Sequence, residues 1–134
     1  MIPPSSLITF CRAESIELAI VFGSQAKGTV HAAGDLDLAV AFEEGRDFSK
    51  LRLIFDLEGI FHPRTVDVVI LTPETPPLLL YEIFFRGRVL YESREGLFDK
   101  GRLRAWKLYL DSAQLRVREA QYLREFVRRM RNVA

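Results

Sequence analysis

GSQAKGTVHAAGDLDL, residues Gly23 to Leu38, follows directly on an apolar run, IELAIVF (Ile16 to Phe22), and opens a second one, DLDLAVAF (Asp35 to Phe42). Both runs read as strands by their length, their β-formers and the turn residues between them. Gly23 ends the first strand, Ser24 suits the N-cap of a brief helical turn, and Gly28 breaks that turn. In the second strand the alternation is strict. Leu36, Leu38, Val40 and Phe42 face one side, and Asp35, Asp37, Ala39 and Ala41 the other. The first set is expected in the core, and the second is expected to line something small and polar.

Working outward, Ser5 and Ser6 after Pro3 and Pro4 are expected to cap a short helix ending near Arg12. A helix is expected from about Phe48 to Phe61, with Leu51, Ile54, Phe55 and Glu58 setting its period and Gly59, His62 and Pro63 closing it. TVDVVIL, Thr65 to Leu71, reads as a third strand, apolar enough to lie inside a sheet apart from Asp67. Pro76 and Pro77 precede a helix over Leu78 to Phe85 that stops at Gly87, and RVLY, Arg88 to Tyr91, is a short strand suited to a sheet edge. The last helix begins at Leu97 or Leu103 and runs to Met130, with Leu103, Trp106, Leu110, Ala113, Val117 and Ala120 at helical spacing. At roughly 40 Å it outruns a compact body of this size, so part of it is expected to project.

The chain of 134 residues has room for one domain, and near-balanced charge with 49% apolar residues excludes a disordered polymer. Charge is uneven, however. From Lys100 to Ala134 there are ten Lys or Arg against three acids. A basic helix of this kind could meet nucleic acid or an acidic protein, but a solvated helix face is the plainer reading, and direct nucleic-acid binding is not expected. Cys11 is the only cysteine, so no internal disulfide can form, and with His31 and His62 it is too little for a structural zinc site. No run approaches the ~18 apolar residues of a membrane span. The stretch MIPPSSLITFCRAES lacks the basic start and apolar core of a secretory signal, so a cytoplasmic location is the expectation.

The acidic residues carry the chemistry. Two aspartates on one face of a strand repel unless water or a cation separates them. Asp67 is the one charged residue of the third strand, and a buried unpaired carboxylate costs several kcal/mol. Three carboxylates from neighbouring strands suit Mg²⁺, a hard ion with oxygen ligands that keeps waters for phosphates to replace. Two such ions activate an attacking hydroxyl and neutralise a leaving pyrophosphate. Gly23 lets backbone approach a phosphate, Ser24 adds a hydroxyl donor, and Lys27 is one turn away. The segment is not a Walker loop, since Thr29 rather than Lys follows Gly28. Nor does it suit a glycosidase, because Asp35 and Asp37 share one strand instead of flanking a substrate.

Gly23, Ser24, Ala26, Gly28, Asp35, Asp37 and Leu38 match the pattern G-S-x-A-x-G, five residues, S-D-x-D-[LI]. The chain thereby resembles the minimal nucleotidyltransferases, a branch of the DNA polymerase β-like nucleotidyltransferase superfamily, and Asp67 stands where that family carries its third carboxylate. Gly34 replaces the usual Ser, which removes a hydroxyl but no carboxylate; Gln25 and Lys27 stand where Arg is common. The resemblance implies a mixed α/β (α+β) fold, a small mixed sheet with helices packed on it and a long C-terminal helix. It divides the chain into a nucleotidyltransferase domain over 1–96 and a helix over 97–134 that packs on the domain and is available to a partner. It further implies that Asp35 and Asp37 hold two Mg²⁺ ions, that Asp67 helps hold one and acts as general base, and that Gly23, Ser24 and Lys27 bind ATP phosphates. Small members resemble antitoxins paired with HEPN-domain ribonuclease toxins, which implies AMP transfer to a toxin tyrosine. Transfer to a small molecule such as an aminoglycoside, and neutralisation of a toxin by contact alone, are the alternatives.

Overall fold

The computed structural model describes residues 3–23 and 34–133. The elements run α1 (Ser5–Ala13), β1 (Ile16–Phe22), β2 (Leu36–Phe42), α2 (Lys50–Phe61), β3 (Val66–Ile70), α3 (Pro77–Arg86), β4 (Arg88–Glu92) and α4 (Leu97–Val133). The four strands form one mixed sheet in the order β3-β2-β1-β4. β1 is antiparallel to β2 and to β4, whereas β2 and β3 are parallel and joined through α2. This is the mixed α+β architecture the sequence implied.

Each face of the sheet is covered by two helices. On one side Leu7 and Cys11 of α1 and Leu53, Leu57 and Phe61 of α2 meet Val21, Leu36, Leu38, Val40, Val66 and Val68. On the other, Leu80, Ile83 and Phe84 of α3 and Ala105 of α4 meet Leu18, Ile20, Phe22 and Ala39. The alternation of β2 holds, but its second face is not polar throughout: Ala39 is fully buried and Ala41 packs beside it, leaving only Asp37 at the start of the strand on that face. Burial of Cys11 pushes its thiol up to about 12, so it is a core residue and not a nucleophile.

Several expectations need correction. Ser5 does not cap α1: Pro4 is the N-cap, with no side-chain bond, because the chain enters the helix one residue earlier. Helix α2 starts at Lys50, capped by the Ser49 side chain, which accepts from the Arg52 N–H. Its buried face is Leu53, Leu57 and Phe61; Leu51 and Phe55, expected to set the period, are 82% and 76% exposed. Both sets recur every four residues, and the sheet takes the one with three large members. Strand β3 lies at the sheet edge, not inside it. β4 occupies the other edge, as expected.

Helix α4 holds 37 residues, about 55 Å at roughly 1.5 Å per residue. Its contact with the body uses little of the expected stripe: of those residues Trp106 meets α3, its ring 6.0 Å from that of Phe85. Leu103, Trp106, Leu110 and Val117 are exposed, and the inward face is Phe98, Gly101, Ala105 and Leu108. Gly101 permits this approach, since a Cβ there would stand 2.3 Å from the Phe84 ring. Beyond Val117 every described side chain is exposed. Among the described residues no helix is long and apolar enough to cross a membrane.

The α2 assignment is directly testable. Leu57→Ala is expected to cost about 2–5 kcal/mol through lost burial and a residual cavity. Leu51→Ala is expected to stay within about 0.5 kcal/mol. Urea unfolding of both variants reads the difference, and equal losses would reverse the assigned face.

Candidate active site

The acidic end of the sheet is set by strand register. The parallel pairing of β2 with β3 places Leu36 beside Val66, Asp37 beside Asp67 and Leu38 beside Val68. The flanking pairs point into the core beneath α1 and α2, so alternation turns Asp37 and Asp67 together to the opposite face. One rung further in, Ala39 and Val69 are covered by α3 and α4. Asp37 is half-buried and Asp67 exposed. Adjacent strands lie about 4.8 Å apart, so the two carboxylates are near neighbours.

Asp35 stands one residue before β2 rather than within it, and is exposed. Its carboxylate accepts a hydrogen bond from the Thr65 hydroxyl, while the Thr65 carbonyl accepts from the Leu36 N–H at 2.9 Å. Thr65 thus closes the β2–β3 pairing and orients Asp35. It was not singled out from the sequence, although alternation in TVD places it on the face of Asp67.

Gly23 completes this end of the sheet. Phe22 lies opposite Asp37 in the β1–β2 register, and Gly23 follows with φ +73, a left-handed conformation suited to glycine. A Cβ there would stand 2.5 Å from Asp37 Oδ2. The missing side chain therefore leaves room for the carboxylate itself. Ser24 and Lys27, and the helical turn expected from Ser24 to Gly28, lie outside the described residues.

Partial burial, and then the negative charges of Asp67 and Asp35, raise the Asp37 carboxyl above its ordinary range. Such crowding is what a divalent cation relieves, and an all-carboxylate donor set fits Mg²⁺. Asp67 is not the buried, unpaired carboxylate expected. On an exposed edge strand it carries little desolvation cost, so the reason for a cation is repulsion at Asp37. Among the described residues no three acidic, His or Cys side chains form a closed ligand cluster, and Asp35 is bonded to Thr65.

The raised Asp37 carboxyl has a definite sign in stability. Its protonated form is favoured by the fold, so its contribution is present at low pH and is lost as pH rises through the raised folded value. In metal-free buffer Asp37→Asn is therefore expected to raise Tm by a few degrees at neutral pH. The difference should shrink as pH falls into the ordinary carboxylate range. Thermal melts across pH read this, and a variant less stable than the parent at neutral pH would contradict it.

The profile of the family described as Polymerase beta, Nucleotidyltransferase matches residues 6–96. No curated protein gives a match. Among solved structures, a chain from a toxin-antitoxin crystal structure with AMP-PNP superposes with TM-score 0.70 at 20% identity, over 87% of this chain and 95% of that one. A chain of a Shewanella oneidensis complex, a tri-AMPylated HEPN toxin with an MNT antitoxin, gives TM-score 0.64 at 17% identity, over 88% of this chain and 93% of that one. A chain of the MntA-HepT toxin-antitoxin structure gives 0.63 at 15% identity, over 88% and 94%. At these identities the likeness is one of fold. The family match spans Gly23, Asp35 and the β2–β3 pair that sets Asp37 beside Asp67, and the chain belongs to the polymerase β nucleotidyltransferase family.

Proposed function

We propose that this protein is a Mg²⁺-dependent nucleotidyltransferase of the cytoplasm that moves AMP from ATP to a hydroxyl, the acceptor being a tyrosine of a HEPN-type toxin that it neutralises. The observation that carries the reaction is the pairing of Asp37 with Asp67 beside Gly23. The fold relatives in toxin-antitoxin complexes, one with AMP-PNP and one with an AMPylated toxin, support the nucleotide and the acceptor.

In this reading Asp35 and Asp37 would hold two Mg²⁺ ions, with Asp67 holding one of them. When bound, the ions neutralise the triphosphate and the departing pyrophosphate. Gly23, Ser24 and Lys27 hold the phosphates, the glycine by leaving its backbone approachable. Thr65 keeps Asp35 oriented. Asp67, exposed on its edge strand, is reachable by a bulky acceptor and takes the hydroxyl proton. The acceptor oxygen then bonds to the α-phosphorus as the bond from that phosphorus to the bridging oxygen of pyrophosphate breaks. Such in-line transfer is chiefly a matter of positioning and charge neutralisation.

The test mixes the purified chain, Mg²⁺ and ATP with a HEPN-type toxin and reads the toxin by intact mass. One added AMP per modified tyrosine is expected, with loss of signal on chelation. Disturbing a partner of a metal ligand costs 10–100-fold, so Asp37→Asn and Asp67→Asn are expected to cost more than about 100-fold. Silencing of the toxin with no mass gain would replace the reading by neutralisation through contact.

A further inference from the structure

Helix α4 leaves the body with one face unfinished. Helices α3 and α4 run antiparallel: Phe84 lies 5.6 Å from Phe98, while Tyr81, a turn nearer the start of α3, stacks at 4.4 Å on Tyr109. α3 begins at Pro77, so its cover ends about one turn past Tyr109. The inward positions of α4, Phe98, Gly101, Ala105, Leu108 and Ser112, step by three and four. The same stepping continues through Leu115, Glu119, Tyr122, Phe126 and Arg129. Leu115, Tyr122 and Phe126 are 58%, 66% and 51% exposed, and Leu123 and Met130 flank them, also exposed.

We infer that this face is a self-association seam, on which α4 of a second copy of the chain lies antiparallel and takes over from α3. This goes beyond the catalytic reading and does not depend on it. The order of residues along the seam favours a second copy. In an antiparallel pair, positions equally far from the two-fold centre face one another. With the centre between Tyr122 and Phe126, Tyr122 faces Phe126 of the second copy and Glu119 faces its Arg129. The two charges that interrupt the apolar seam thus neutralise each other, twice over. Among the described residues neither Glu119 nor Arg129 takes part in an ion pair within its own chain. An acidic foreign partner would suit the surrounding arginines, but it would leave Glu119 against like charge.

From Leu115 to Met130 the seam covers roughly 23 Å, about four helical turns. Sedimentation velocity of the full chain over a concentration series is expected to carry the mass from 15.4 kDa toward twice that value. Glu119→Arg and Arg129→Glu each set like charges face to face and are expected to weaken the dimer by about ten-fold or more. The double variant restores it, and so does an equal mixture of the two single variants, in which every facing pair is again opposite in sign. Both positions are exposed, and circular dichroism confirms that each variant is folded. A parent chain that stays monomeric throughout, including one that binds only an acidic partner, would overturn the inference. So would a dimer indifferent to the charge swaps.

Discussion

Asp37 and Asp67 are held side by side by packing that neither of them takes part in. The register of β2 against β3 is fixed from the opposite face of the sheet, where Leu36, Leu38 and Val40 are buried under α1 and α2. A slip of one residue would turn all three to the wrong side. Each such side chain gains about 1.5–3 kcal/mol on burial. Repulsion between carboxylates that are half-buried or exposed is smaller than that sum. The fold can therefore carry a crowded acidic corner, and the crowding becomes a standing demand for positive charge there.

The neighbouring residues refine this corner without adding charge. Gly23 backs onto Asp37 where any side chain would displace its carboxylate, and Thr65 both closes the β2–β3 ladder and orients Asp35. One rung inward, Ala39 and Val69 lie under α3 and α4. The corner is thus bounded on one side by a dry core and on the other by solvent. Half-burial limits water at Asp37, while Asp67 on the edge strand remains open to approach.

Much of this was legible in the sequence. The alternation in DLDLAVAF shows in the residues because one face of β2 is wholly apolar, and the three acids stand out against apolar surroundings. What misled was information held by the partner element. Ala39 and Ala41 look like the lining of a polar cleft, yet their small size is what lets α3 and α4 lie close. In α2, Leu51 and Phe55 recur as regularly as Leu53 and Leu57, and the position of the sheet decides between them. VDVVI reads as an interior strand because helices cover both faces of the sheet, and strand order leaves no mark on composition. Thr65 escaped notice for a similar reason, since its role exists only once β2 and β3 are paired.

The same logic explains why α4 was read on the wrong side. Large apolar residues attract attention, but close helix packing selects small ones: Gly101 leaves room for the Phe84 ring of α3, and Ala105 is fully buried. Where α3 ends, the need for small residues ends too. The inward face then changes from Gly and Ala to Leu115, Tyr122 and Phe126, sizes suited to a neighbouring helix at ordinary spacing. An isolated helix of this length gains little from propensity alone, and most helical stability comes from burying a face. A projecting segment of some 20 residues with bulky apolar groups on one continuous line is therefore built to be covered. Its two charged interruptions, opposite in sign and equidistant from the centre, fit a cover of the same sequence running the other way.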